Sequence, residues 1–298
     1  MRRRARWNTL PLHFMLFVPV VLLIIFHYIP VLGIVIAFQD YKPGWGFIKS
    51  PWIGLENFKT LLLLPDIAKV VRNTVFIAVM KIIGNLVVPI TFALLLNELR
   101  QKRFKRTVQT ITYLPYFFSW VVLAGIIKDF LAPSGFVNMI ITALGGKALF
   151  FLGDKNLFPY TMVVTDIWKG FGFNTIVYLA ALTGVDPTLY EASAIDGAGR
   201  LRQTWHITLP GISQFVALMA ILSIANILSA GFDQIFNLYS VMVYDTGDVI
   251  DTLVYRMGIV DMNYSLATAV GLFRSVIGLV LVTTSHKLAA KYANYRVF

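Results

Sequence analysis

The stretch from Asp186 to Pro210 holds the most specific spacing of reactive residue types in the chain. It reads Asp186-Pro187-Thr188-Leu189-Tyr190-Glu191-Ala192-Ser193-Ala194-Ile195-Asp196-Gly197-Ala198-Gly199-Arg200, then runs on to Ile207-Thr208-Leu209-Pro210. Asp186 is an N-cap residue and Pro187 follows at the first helical position, so a short helix starts here. Gly197 and Gly199 break it, because glycine takes a sharp backbone turn at low steric cost. A second short helix is predicted from about Arg200 to His206, and Pro210 opens the next apolar run. On pattern alone the segment reads either as an interfacial linker of two amphipathic helices or as a docking element.

A second set of polar groups lies inside apolar segments. Asp166 and Lys169 stand three apart and can pair on one helix face. They read as a gate or a solute ligand, or as a structural ion pair. Arg274 sits mid-segment with no local acidic partner, so it requires an aqueous cavity or a partner on another helix. Lys81 requires the same or must snorkel. Taken as one helix at about 100° per residue, Ser223, Asn226, Asp233, Gln234 and Asn237 fall within about 100° of arc. Neutral hydroxyl and amide groups both donate and accept, which suits hydroxyl-rich ligands. The same groups also serve as glue between helices. Gly231 is a possible end of that helix. Phe232, Phe236 and Tyr239 lie nearby and offer faces for stacking on a solute ring, or an interfacial aromatic belt.

Several chemistries are excluded. The chain has no cysteine, which removes disulfides, zinc–cysteine sites, iron–sulfur ligation and a cysteine nucleophile. The 4 histidines stand apart, and no H-E-x-x-H occurs. The run from Gly54 to Lys59-Thr60 has Phe58 where a phosphate loop needs its second glycine. There is no G-x-S-x-G. No catalytic constellation or metal set is expected in this chain, and no cofactor.

The elements that must position these groups are apolar. Of 298 residues, 57% are hydrophobic and 14% charged, against about 45–50% and about 25% in soluble domains. The mean hydropathy is +0.72. Phe14–Phe38, Thr107–Ile127 and Leu209–Phe232 carry no Asp, Glu, Lys or Arg. Each is long enough to cross a bilayer, which needs about 20 residues. Val70–Leu96, with Arg72 and Lys81, Leu157–Val185, with Asp166 and Lys169, and Met262–His286, with Arg274, are also long enough but carry charge. The expected fold is all-α and polytopic, a single domain over residues 1–298 with about six transmembrane helices. Short helices are expected at Leu55–Leu64, closed by Pro65, and at Phe136–Leu144, broken by Gly145-Gly146. Ala267, Gly271 and Ser275 follow at four-residue steps and form a seam for close helix packing, expected against a partner span.

The net charge of +11 is distributed unevenly. With the N-terminus inside, Arg2, Arg3, Arg4, Arg6, Arg100, Lys102, Arg103, Lys105, Arg106, Arg200, Arg202, Lys287, Lys291 and Arg296 all fall on the inner side. They are more than half of the 26 Lys and Arg residues. The positive-inside rule therefore places both termini in the cytoplasm of a multi-pass plasma-membrane protein. No nucleic-acid role is expected from this charge. The outer segment from Asp233 to Asp261 is rich in aspartate and reads as a contact surface or a merely solvated loop.

Glu191-Ala192-Ser193, Asp196-Gly197-Ala198 and Ile207-x-Leu209-Pro210 resemble the E-A-A---D-G-A---------I-x-L-P loop of binding-protein-dependent ABC import permeases. Ser193 departs from that pattern, where the family usually has alanine. Asp233-Gln234-Ile235-Phe236-Asn237-Leu238, Asp248-Val249-Ile250-Asp251-Thr252, Tyr255-Arg256 and the run from Tyr264-Ser265 to Phe273 resemble the LplB-like, MalF-related carbohydrate branch. The resemblance implies a bacterial permease of a carbohydrate, an oligosaccharide in particular. It implies a second homologous permease, two copies of a cytoplasmic ATPase that hold ATP and Mg, and an extracellular solute-binding protein. The Glu191 loop would be the coupling helix, with Glu191 facing basic residues of the ATPase and Gly197 setting the bend. The alternatives are permeation of a polyol or glycerol phosphate, an intramembrane enzyme, or a proton-coupled carrier. The last two need no loop of this kind.

Overall fold

The computed structural model describes residues 2–224 and 228–292, with side chains described for 11–224 and 228–284. The helices are, in chain order, α1 (Pro11–Phe38), α2 (Glu56–Leu63), α3 (Ile67–Glu98), α4 (Lys102–Tyr113), α5 (Trp120–Leu131), α6 (Phe136–Ala143), α7 (Phe158–Leu182), α8 (Pro187–Ile195), α9 (Arg200–Ile224), α10 (Phe232–Leu238), α11 (Ile250–Tyr255) and α12 (Tyr264–Tyr292). No strand forms among the described residues, and Gln39 and Trp52 make an isolated antiparallel bridge. Among the described residues, five helical stretches are long and apolar enough to cross a membrane: α1, α3, Trp120–Ala143, α9 and the Tyr264–Thr284 part of α12. Helix α7 has 25 residues, about 37 Å at 1.5 Å per residue. Its Asp166, Lys169 and Asn174 lower its apolarity, so its length matches a span and its composition does not.

Prolines follow two of the irregular turns. Proline lacks an N–H and its ring clashes with the carbonyl four residues back. A wide helical turn at Ile24–Tyr28 lies just before Pro30, and another at Thr204–Thr208 lies just before Pro210. The second turn joins Arg200–Gln203 continuously to Leu209, so the helix leading into the membrane starts at Arg200, ten residues ahead of Pro210.

Two sequence expectations fail at such breaks. Thr107–Ile127 is not one span: α4 ends at Tyr113, Leu114–Phe117 forms a tight turn around Pro115, and Phe118 and Ser119 are extended. Ser119 then caps α5 by accepting from the Val122 N–H. Leu209–Phe232 is not one span either. The described part of α9 ends at Ile224, and Gly231 takes a left-handed φ of 92° before α10 begins. Residues 225–227 between them lie outside the described residues.

The chain divides into two compact units, Met1–Leu64 with Val254–Phe273, and Pro65–Leu253 with Arg274–Phe298. In the first, α1 is largely exposed along its length. Phe38 stacks on Trp52 at 5.7 Å, and Asn57 Nδ2 donates to the Ala37 and Gln39 carbonyls. The Tyr41 N–H donates to Ser265 Oγ at 2.9 Å. Ala267 of the small-residue seam packs on Gly258, while a Cβ at Gly271 would meet nothing within 4 Å.

In the second unit α3 and α7 pack along their lengths. Phe92 meets Phe171 edge-on at 5.1 Å, and Thr175 Oγ1 donates to the Pro89 carbonyl at 3.3 Å. Glycines permit the closest approaches. A Cβ at Gly84 would lie 2.1 Å from Ile167 Cδ1, and one at Gly172 would lie 2.2 Å from the Thr112 carbonyl oxygen of α4. Ile77, Leu123, Phe158, Met162, Ile235 and Val249 form one apolar core; Ala93, Tyr178, Leu182 and Ile212 form another.

Candidate functional site

Between these two apolar cores lies a polar cluster centred on Lys81 of α3. Its ammonium uses all three protons: on Asp166 Oδ1 at 3.3 Å, on the Ala230 carbonyl at 2.7 Å, and on Gln234 Oε1. Asp166 Oδ2 accepts from Asn85 Nδ2 at 3.0 Å, and Asn85 Oδ1 accepts from Asn174 Nδ2 at 3.4 Å. Gln234 is fully buried, and its Nε2 donates to the Met162 carbonyl and to Thr165 Oγ1. The cluster therefore ties α3 and α7 to the interrupted backbone between α9 and α10. Lys81 supplies a donor to a carbonyl that the helix break leaves free, which is how irregular backbone is tolerated at membrane depth. A cavity of about 220 Å³ opens on it, lined by Lys81, Asn85, Asp166, Ser223, Ser229 and Gly231.

This arrangement corrects the expected Asp166–Lys169 pair. One residue type at i+3 does not decide pairing when a third residue from another helix reaches the carboxylate first. Lys169 turns away, donates to the Tyr116 carbonyl at 3.1 Å, and sits over the rings of Tyr116 and Trp120 at 5.2 and 5.3 Å. Arg274 does find a cross-helix partner, Asp251 of α11. Burial pushes the Asp251 carboxyl above the usual range, and the Arg274 charge opposes that rise.

The continuous polar stripe is also corrected, because α9 and α10 are separate helices. Asn226 lies outside the described residues. Ser223 lines the cavity while its hydroxyl donates to the Met219 carbonyl. Asp233 is exposed, and its carbonyl accepts from Asn237 Nδ2 at 2.7 Å. The amide of Gln234 is satisfied internally. Lys81, absent from the sequence-based site set, is the hub. Its signal in the sequence was a lone lysine in an apolar segment, which does not reveal its partners. Phe232, Phe236, Tyr239 and Tyr244 form a chain of ring contacts beside α10.

The second candidate region is the loop that follows α7. Asp186 Oδ1 accepts from the Thr188 N–H at 2.9 Å, capping α8, and this bond holds the carboxyl below its usual range. Glu191, Ala192, Asp196 and Gly197 are exposed. Gly197 has φ 76°, the left-handed geometry that a C′ glycine supplies. Ala198 N donates to the Ser193 carbonyl at 2.9 Å, closing that turn. Gln203 Nε2 donates to Ser193 Oγ at 3.0 Å, and the Tyr190 hydroxyl shares a hydrogen bond with Thr208 Oγ1 at 2.9 Å. These contacts join α8 to the start of α9. Ile207, Leu209 and Pro210 lie on the wide turn and the helix just after it. The hydroxyl of Ser193 has a structural use that alanine lacks.

A helical membrane protein with a capped, exposed loop of this pattern and a discontinuous helix over a polar cluster is a solute permease in architecture. Residues 85–288 match the model of the binding-protein-dependent transport system inner membrane component, and the chain belongs to that family. It is thus a transport component rather than a catalytic enzyme, from a family with no cofactor of its own. The chain is 39% identical to Protein LplB of Bacillus subtilis over 99% of its length and 92% of that protein. It is 40% identical to the polygalacturonan/rhamnogalacturonan transport system permease protein YteP of the same organism, over 92% of this chain and 86% of that one. Among solved structures, it is similar to a chain of a bacterial ABC transporter that imports the acidic polysaccharide alginate. That match has a TM-score of 0.89 and 34% identity over 97% of this chain and 98% of the other. The alginate transporter has also been solved in complex with an alginate pentasaccharide-bound periplasmic protein, with the same TM-score.

Proposed function

We propose that this chain is the permease subunit of an ABC importer that carries a carbohydrate, an oligosaccharide in particular, inward across the plasma membrane. The observation that carries the reading is the loop from Asp186 to Pro210 set against the relatives named above. In the isolated chain the loop presents Ile195 at 88% and Leu201 at 78% exposure beside Glu191. Apolar side chains so open on a capped and hydrogen-bonded element suit a subunit interface. The partner there would be a cytoplasmic ATPase present in two copies, holding ATP and Mg. Glu191, Ala192, Ser193, Asp196, Gly197 and Ala198 would enter its cleft. Ile207, Leu209 and Pro210 would carry the movement into α9.

On this reading α7 is a sixth span, both termini are cytoplasmic, and a second permease packs alongside. A solute-binding protein delivers cargo from outside. The cargo would pass along the cavity beside Lys81, Asp166 and Ser223. Residues 1–298 would act as one transmembrane domain. The test is purification of the complex from native membranes with mass spectrometry of copurifying chains, followed by uptake assays in proteoliposomes. Copurification of an ATPase, a second permease and a solute-binding protein, with ATP-dependent oligosaccharide uptake, is the expected result. A chain that purifies alone and moves no sugar would overturn the reading.

A further inference from the structure

Lys81, Lys169 and Arg274 each lie within a long helix, and they differ in one respect. Lys81 is neutralised by Asp166, and Arg274 by Asp251. Lys169 has no carboxylate within ion-pair distance among the described residues; its one hydrogen bond there goes to the Tyr116 carbonyl. An ionised lysine at membrane depth costs about 2.5–3.5 kcal/mol unless it meets water or a counter-charge. Two of its three donors remain for a ligand.

The surroundings of Lys169 are equally specific. The Leu114–Phe117 turn interrupts the path between α4 and α5, and such discontinuities mark substrate sites in transporters. Tyr116 stacks face to face on Phe173 at 3.9 Å, which fixes its ring. Phe117 meets both rings edge-on. Trp120, the first residue of α5, presents its ring to the ammonium from the other side of the break. A rigid aromatic setting beside a charge with no carboxylate partner among the described residues is a receptor for a molecule that has both an apolar ring face and an anionic group.

We infer that Lys169, Tyr116 and Trp120 form a subsite for the carboxylate and ring face of a uronic-acid residue in the cargo. The assignment rests on the carbohydrate reading above and narrows it to acidic sugars. Lys169 supplies the charge-assisted hydrogen bonds; the Trp120 ring supplies the stacking surface, and Tyr116, with one face on Phe173 and the ammonium over its ring, holds the lysine in place. The neighbouring Lys81–Asp166 pair is neutral overall, so the site keeps one positive charge that favours an anion over a neutral sugar.

The experiment uses the whole transporter, with its second permease, ATPase and solute-binding protein, in proteoliposomes. The probes are trigalacturonate and its carboxyl-reduced neutral counterpart. Wild type should take up the acidic trisaccharide. Lys169→Met should lower that uptake at least tenfold, with assembly and basal ATP hydrolysis unchanged, while Lys169→Arg should keep at least a third of it. Trigalacturonate uptake that survives Lys169→Met would overturn the subsite. So would loss of assembly in step with uptake, since the lysine would then be structural. Equal uptake of both trisaccharides by wild type would overturn the acidic assignment and leave carbohydrate transport intact. Uptake of neither would overturn both.

Discussion

Lys81 of α3 and Asp166 of α7 form an ion pair at 3.3 Å, with the lysine side chain 8% exposed and the aspartate 25%. Removing one partner leaves a buried charge alone, at a cost of about 3–5 kcal/mol. Lys81→Met and Asp166→Leu should each lower the melting temperature of the detergent-purified protein markedly. The double variant should recover much of the loss. Equal destabilisation in the single and double variants would reject this coupling.

Gly172 lies against the Thr112 backbone, where a Cβ has no flexible neighbour to displace. Gly172→Ala should destabilise the fold by about 1–3 kcal/mol, the usual cost of overpacking. Gly125→Ala, where a Cβ meets nothing within 4 Å, should be neutral. Thermal unfolding of the two variants side by side checks the contrast.

Gly197 holds a left-handed φ of 76°, which costs a residue with a Cβ about 1–2 kcal/mol. Gly197→Val should deform the loop, and Glu191→Ala should remove the charge-assisted contact proposed to the ATPase. In both, the permease should insert normally while cargo-stimulated ATP hydrolysis falls. Ser193→Ala, which loses the hydrogen bond from Gln203 and the one the hydroxyl donates to the Tyr190 carbonyl within α8, should have a smaller effect. Unchanged coupling in the first two variants would exclude the docking role.

The Asp186 cap carries a definite pH dependence. The Thr188 N–H holds the folded carboxyl below its ordinary value. Its stabilisation is therefore present above about pH 4, the unfolded value, and is lost as pH falls through the lowered folded value. Amide exchange at the start of α8, corrected for intrinsic rates, should lose protection over that acid window. Asp186→Asn, which still caps but does not titrate, should show no such transition.

Orientation is accessible because the chain has no cysteine of its own. A cysteine placed by Gln203→Cys should react only with cytoplasmic reagent, and one placed by Thr246→Cys only with external reagent. Labelling from the opposite sides would reverse the assignment of the termini.

The sequence by itself determined the class of this protein. Apolar runs specify membrane helices because the bilayer offers no hydrogen bonds to backbone, and that requirement is local. The Asp186 cap, the Gly197 turn and the short helices Glu56–Leu63 and Phe136–Ala143 were legible for the same reason, since each depends on a few adjacent residues. Pro115 and Gly231 were visible too, yet what they interrupt was not. An apolar run reads as continuous even where a break is stabilised from elsewhere. Only the tertiary structure decided the pairing of charges. Asp166 had Lys169 within one helical turn, and the fold gave it Lys81 instead, 85 residues earlier in the chain. Coulombic and hydrogen-bond energies depend on distance in space, and the close packing of α3 on α7 at Gly84, against Ile167, sets that distance. The cavity and the turn of Lys169 towards Tyr116 and Trp120 have the same origin: both follow from which helix faces meet.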